Sequence, residues 1–276
     1  MFELPEYVNL ARQLRATVTG KRVAAATLGN SPHKFVWYNR TPDEFASLTR
    51  GKTAGKAYSR GRWLFLPLEL GYVLVFGECG GKIVFHESSS LLPKKYHLSV
   101  EFEDGTALSA TTQMRGAMEL FEKGRELERK YICDMRPTPT DPDFSLGYFN
   151  SLVDECVQGE RRSVKALLTQ HQLIPGLGNA IAQDIMFKAK LHPRHALGSL
   201  DPVQREALYR AILEKVSEVI HAGGRNDELD LFGQPGGYPR IMDKSAVGGK
   251  CPDCGATIEQ IQYLGGACYF CPSCQI

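Results

Sequence analysis

Four of the eight cysteines stand in two Cys-x-x-Cys pairs, Cys251/Cys254 and Cys271/Cys274, with sixteen residues between the pairs. One such turn presents two thiolates to an ion, and two turns complete the tetrahedron of soft ligands that zinc prefers. Pro252 and Pro272 favour tight turns, and Gly255 follows the first pair where the chain must turn sharply. Apolar and polar residues then alternate through 257–263, Gly265 and Gly266 follow, and Cys268, Tyr269 and Phe270 return, the pattern of a β-hairpin. Burial or disulfide pairing of these thiols is the other reading; the spacing favours one structural Zn2+ in a ribbon. Cys79, Cys133, Cys156 and Cys268 are irregularly spaced and read as free thiols of a reducing, cytoplasmic compartment.

A second chemical feature lies in residues 170–179. Pro175, Gly176, Gly178 and Asn179 fall in a connection between two stretches with helical apolar spacing, and Asn179 suits the cap of the second helix. Backbone N–H groups at such a helix start bind phosphate oxygens, and Asn179 can add a side-chain donor. An ordinary helix hairpin would carry similar residues. The net charge is only +2, but Arg50, Lys52, Lys56, Arg60 and Arg62 follow one another with no acidic residue between them. From Glu160 to Lys215 nine basic residues face five acidic ones. Such stretches suit a polyanion, or the solvated faces of helices and loops.

These groups need a scaffold, and 276 residues with 43% hydrophobic content supply two domains and a small metal module. No run is long and apolar enough to cross a bilayer, and Glu3 and Glu6 interrupt any signal peptide. Residues 5–16 read as a short helix. Residues 22–28, 63–66, 72–76, 82–85 and 98–102 read as strands, with hairpin-like turns at 69–71 and 103–105. Short strands at this spacing predict a sandwich or barrel. Residues 136–142, rich in proline, mark a linker. Helical spacing follows in 144–156, 163–171, 181–188 and 202–220, ended by Gly223 and Gly224.

The run from Pro175 to Asn179, continuing through Phe187 to Pro193, resembles the helix–two-turn–helix signature of the formamidopyrimidine-DNA glycosylase and endonuclease VIII family. The end from Tyr269 to Gln275 is similar to that family's zinc finger. Glu3, Leu4, Pro5 and Glu6 resemble its N-terminal catalytic motif, and Arg60 to Leu64 its basic strand motif. The resemblance implies an α+β multidomain chain: an N-terminal β-sandwich with a short N-terminal helix (1–135), a helix–two-turn–helix DNA-binding domain (136–225), and a linker with a C-terminal zinc-ribbon β-hairpin (226–276). It also implies a monomer acting on damaged or distorted double-stranded DNA, with no membrane association. The enzyme would be a cytoplasmic, nucleoid-associated DNA N-glycosylase of base excision repair. In that family a flipped-out nucleotide is attacked by an N-terminal proline amine, an imine forms, β-elimination nicks the strand, and the next glutamate shuttles protons.

The sequence departs from this pattern at the reacting end. Phe2 stands where the family has its proline, and a bulky residue there predicts that Met1 is retained. Arg62 stands at the family's lysine, keeping charge but not readily losing a proton. Gly266 replaces an expected hairpin arginine. Cys79 aligns with a methionine wedge, and Gln113 and Arg115 with an arginine and a phenylalanine. The expectation is therefore base excision by hydrolysis, with Glu3 as acid/base, Glu6 in support, and the imine-dependent lyase step weakened or lost. A non-catalytic binder of distorted or abasic DNA is the alternative, in which Glu3 is only a helix-start carboxylate. Lys52, Lys56, Arg60, Arg62, Lys165, Gly178 and Asn179 are the expected DNA contacts.

Overall fold

The computed structural model describes residues 1–31, 33–69, 71–159 and 162–276. Contacts divide the chain into two compact units, Met1–Met135 with Ala222–Gly237, and Arg136–His221 with Tyr238–Ile276.

In the first unit, α1 (Leu4–Val18) places Tyr7, Leu10, Ala11, Leu14 and Val18 at helical spacing, and all five are buried. The helix is followed by β1 (Val23–Leu28), β2 (Val36–Trp37), α2 (Pro42–Thr49), β3 (Tyr58–Arg60), β4 (Trp63–Leu68), β5 (Tyr72–Gly77), β6 (Gly81–His86), β7 (Leu98–Phe102), β8 (Ala107–Thr112), β9 (Gly116–Glu122) and α3 (Lys130–Cys133). Among the described residues two sheets result, in the orders β1-β7-β8-β6 and β2-β9-β5-β4-β3, and the one parallel pair is β2 with β9. Both contribute to one core with α1: Ala26, Ile83 and Val100 from the first, Leu64, Leu74 and Leu120 from the second. The expected sandwich is present.

Strand β4 is apolar on both faces because both are covered. Leu64, Leu66 and Leu68 enter the shared core, while Trp63 and Phe65 join Val73, Val75, Ala117 and Ile132 on the other side. Sequence reasoning passed over β8, β9 and α2, although α2 carries a local start signal. Thr41 and Glu44 form a capping box there, with Glu44 Oε2 2.8 Å from the Thr41 N–H. Gly105 adopts φ 85° in the turn expected at 103–105; the turn at 69–71 includes Leu70, which lies outside the described residues.

The second unit holds α4 (Leu146–Gln158), α5 (Val164–Thr169), α6 (Asn179–Lys188), α7 (Pro202–His221) and the hairpin β10 (Glu259–Tyr263) and β11 (Gly266–Phe270). Asp184 on α6 is fully buried and accepts from the Tyr238 hydroxyl (2.9 Å) and the Met242 N–H (2.7 Å). It thereby fixes the segment that leads into the hairpin. Burial raises its pKa against these hydrogen bonds.

The segment expected as a third domain, 226–276, is apportioned otherwise. Leu231 is fully buried in the sandwich core, so residues 222–237 form a strap on the first unit. Gln275 donates to the Leu191 carbonyl (2.9 Å) and Phe187 packs with Cys251 and Cys271, so the ribbon joins the helices. A hairpin of two five-residue strands is too small to hold a core of its own.

Candidate catalytic end and nucleic-acid interface

Glu3 is the N-cap residue of α1 and only 5% exposed. Its neighbour Glu6 is a hub. Glu6 accepts from the Glu3 N–H (2.8 Å), the Arg225 N–H (3.0 Å), Arg225 Nε (3.0 Å) and Arg225 Nη2 (3.1 Å). Arg225 Nη2 also donates to the Met1 carbonyl (2.9 Å), and the Met1 α-ammonium pairs with Glu228. Burial works against the Arg225 charge, but Glu3, Glu6 and Glu228 outweigh it and hold its pKa above the ordinary value. Burial raises the pKa of Glu228, opposed by the Met1 ammonium and by Arg225. Neither Arg225 nor Glu228 was visible from the sequence, because they meet residues more than two hundred positions away.

Phe2 occupies the position that the resemblance assigns to a nucleophile, and its ring is fully buried in the sandwich core. It meets Tyr7 edge-on at 5.8 Å, and its N–H donates to the Cys79 carbonyl (3.2 Å). The Cys79 N–H in turn donates to the Tyr7 hydroxyl (2.8 Å). Cys79 is therefore a core residue and not an exposed wedge, and burial pushes its thiol up to about 12. What remains beside the Met1 amine is a carboxylate set, with Glu3 nearest in the chain.

The basic strand motif proves to be a tight turn. β3 ends at Arg60, Gly61 takes φ 56°, and β4 begins at Trp63, paired with Arg60. Arg62 is buried against Glu78 (3.4 Å), whose same oxygen receives Arg115 (3.0 Å). Lys56 and Arg60 face solvent, Arg60 also donating to the Met135 carbonyl (3.0 Å). Lys52 lies over the Tyr72 ring at 5.3 Å.

In the second unit the connection between α5 and α6 is compact. His171 and Gln172 take left-handed φ values of 54° and 52°, and Gln172 Oε1 accepts from the Gly176 N–H at 3.0 Å. Gly178 is the N-cap and Asn179 the first helical residue, so the expected Asn179 cap is corrected. Asn179 is exposed, with its amide donating to the Ala267 carbonyl (3.3 Å) and accepting from Gln183 (3.1 Å). Gln183 also bonds Ala267 (3.2 Å) and Tyr269 (3.2 Å). The helix start and the hairpin are thus stitched together.

Lys165, expected among the phosphate contacts, is 1% exposed. Its ammonium donates to the carbonyls of Tyr263 (2.6 Å) and Gly266 (3.3 Å), which flank the hairpin turn. Leu264 and Gly265 in that turn both have positive φ, 50° and 73°. Lys165 is a clamp on a strained turn, because its charge needs acceptors once the side chain is buried. At the other end of the hairpin the Sγ atoms of Cys251, Cys254, Cys271 and Cys274 all lie within 4.8 Å of one another, a cluster able to hold a metal ion. Among the described residues no helix is long and apolar enough to cross a membrane.

Residues 1–118 match the formamidopyrimidine-DNA glycosylase N-terminal domain, and residues 135–229 the formamidopyrimidine-DNA glycosylase H2TH domain. The chain is 30% identical over 280 residues to a formamidopyrimidine-DNA glycosylase of Listeria innocua, covering 100% of both chains. It is 28% identical over 282 residues to one of Bacillus cereus, covering 100% of this chain and 99% of that one. Among solved structures it is similar to Lactococcus lactis Fpg in complex with DNA containing an abasic site, with TM-score 0.85, 25% identity and 99% of each chain covered. The same enzyme with DNA containing N7-benzyl-Fapy-dG gives TM-score 0.86 at 25% identity, again over 99% of each chain.

Proposed function

The chain belongs to the formamidopyrimidine-DNA glycosylase family, and from that premise we propose that it binds damaged duplex DNA and excises a modified base by hydrolysis, without the family's imine-dependent strand nicking. The observation that carries this reading is the placement of Phe2. Phe2 has no proline-type secondary amine, and with its ring fully buried in the core and its amide N–H given to Cys79 its nitrogen is not offered to a sugar. The Met1 amine is paired with Glu228 instead.

In this reading Glu3 takes a proton from water as the water oxygen attacks the anomeric carbon and the glycosidic C–N bond breaks. The proton then passes to the departing base. Glu6 positions Glu3 through the 2.8 Å bond to its N–H and does not itself touch the sugar. Lys56, Arg60, Gly178 and Asn179 contact phosphates, with Lys52 and Arg62 at the margin and Lys165 acting through the hairpin. The protein works as a monomer in the cytoplasm, at the nucleoid.

The four-thiol cluster is read as a zinc site. Four ligands at about 2.3 Å in a tetrahedron lie about 3.8 Å apart, and the Cys251–Cys274 and Cys254–Cys271 sulfur separations are 3.8 and 3.5 Å. The ion holds the hairpin and takes no part in base removal. Metal analysis should find one zinc per chain.

Borohydride reduction on DNA carrying oxidised bases or abasic sites tests the chemistry. Little covalent adduct, base release without nicking, and loss of release in Glu3→Gln are expected. An efficient adduct at the mature N-terminus, located by mass spectrometry, would refute the missing-imine reading. The capped position of Glu3 favours a second reading, a non-catalytic binder of distorted or abasic DNA. That reading requires tight, salt-dependent binding with no release from any lesion.

A further inference from the structure

We infer that the sandwich carries a second nucleic-acid surface, on which the unpaired bases of a single strand stack against Phe35 and Trp37. Trp37 in the edge strand β2 and Phe35 just before it are 47% and 50% exposed, whereas Val36 between them is buried, the alternation of an extended chain with one face turned to solvent. Two half-exposed aromatic side chains near one strand edge offer flat faces on which a planar ligand group can stack.

The surroundings say what kind of ligand that is. Residues 29–42 contain no acidic residue, and neither do 88–100 or 105–118. These stretches meet in space. Asn30 Nδ2 donates to the Lys94 carbonyl (3.0 Å), and Asn30 Oδ1 accepts from the Tyr96 N–H (3.0 Å). His33 meets His97 at 5.3 Å, and the Phe35 carbonyl accepts from the Gly116 N–H at 3.0 Å. Lys34 Nζ lies 5.7 Å from the Phe35 ring centroid, and Lys94, Lys95 and Arg115 stand in the stretches whose backbones meet the 29–36 segment. Acids that border this network are held by arginines: Glu78 by Arg115 and Arg62, and, in the groove beyond Asn39 and Arg40, Glu119 by Arg129 and Glu128 by Arg125.

Aromatic faces beside cations, with Glu78 and Glu119 each neutralised by an arginine, match the two parts of a single strand: stacking bases and a phosphate chain. An apolar protein partner would use the rings but not the cations. A duplex would use the cations but keep its bases stacked on one another. The loop that carries Arg115 also borders the N-terminal cluster, with Gly80 donating to the Arg115 carbonyl (3.2 Å) and its own carbonyl accepting from the Gln113 N–H (2.9 Å). This surface stands whether or not the chain excises bases, since its test requires no lesion.

The chain contains two tryptophans, and Trp63 is buried beneath the Arg129 guanidinium at 4.5 Å. Emission quenching on DNA binding therefore reports Trp37. A labelled twelve-residue oligothymidylate should bind the full chain and quench its tryptophan emission. Trp37→Ala and Phe35→Ala should each weaken that binding about 5- to 150-fold, the range for loss of one stacked base. Trp37→Phe should keep the affinity and abolish the quench, a control for folding. Lys94→Ala with Lys95→Ala should reduce the salt slope of oligothymidylate binding by about 1.4. Unchanged affinity in both alanine variants would overturn the inference. So would a concentration-dependent dimer in sedimentation that Trp37→Ala dissolves while oligothymidylate binding stays intact.

Discussion

Replacing Glu6 with alanine removes an acceptor of four hydrogen bonds, three of them from Arg225. Arg225 is buried, so the variant leaves a guanidinium without its bidentate partner in a place water reaches poorly. Breaking a buried ion pair from one side costs about 3–5 kcal/mol. Glu228 at 3.5 Å and Asp227 at 3.9 Å still face the charge, which puts the expectation at the lower end, about 3 kcal/mol. For a unit of roughly 150 residues this corresponds to a fall in Tm of about 6–12 °C. Thermal unfolding gives the magnitude, and hydrogen exchange gives the location, because residues 222–237 should lose protection first. The double variant Glu6→Ala/Arg225→Met should be more stable than Glu6→Ala alone, since it removes the stranded charge as well. A loss below about 1 kcal/mol, or simple additivity in the double variant, would refute the role given to this pair.

Three further outcomes are expected. Lys165→Met should destabilise the helical unit by about 3 kcal/mol, the scale of two charge-assisted bonds. It should raise exchange at residues 259–270 while leaving the salt slope of DNA binding unchanged; a slope reduced by about 0.9 would instead mark a phosphate contact. Gly266→Arg should fold, because a Cβ there meets only the Asn179 side chain at 3.7 Å, and it should tighten duplex binding and steepen the salt slope by about 0.9; weaker binding in a folded variant would show that the hairpin does not face DNA. Burial, with His33 adding to it, lowers the pKa of His97, whose Nδ1 accepts from the Thr112 N–H at 2.8 Å. His86 is lowered by burial as well. The folded state thus binds these protons less readily than the unfolded chain, so their contribution is present above about pH 6.5 and is lost as pH falls through the lowered folded values. Melting curves between pH 8 and pH 5 should flatten in His97→Gln if that sign is right.

Much of the fold was legible because its signals are local. The spacing of Leu10, Ala11 and Leu14 marks α1, alternation and turns mark most of the sandwich, and the cysteine spacing marks the ribbon. The strands β8 and β9 escaped because Ala107–Thr112 is rich in small residues and Gly116–Glu122 lies beside a loop whose residues were assigned to recognition. Four motifs in order were enough to point to the family. The sequence also showed that Phe2, Arg62 and Gly266 break its pattern, since a residue's type is known wherever it lies.

What those departures do was decided by tertiary structure. Burial and partners arise from residues far apart in the chain, and no local pattern encodes them. Only packing shows that Phe2 is a core anchor, that Cys79 is buried at about the same depth, and that Arg225 and Glu228 close over the N-terminus. The same holds for Lys165, a basic residue in a basic stretch by its sequence. Its ammonium is spent on two carbonyls ninety-eight and more positions away, because a charge taken out of water must find its acceptors wherever the fold brings them.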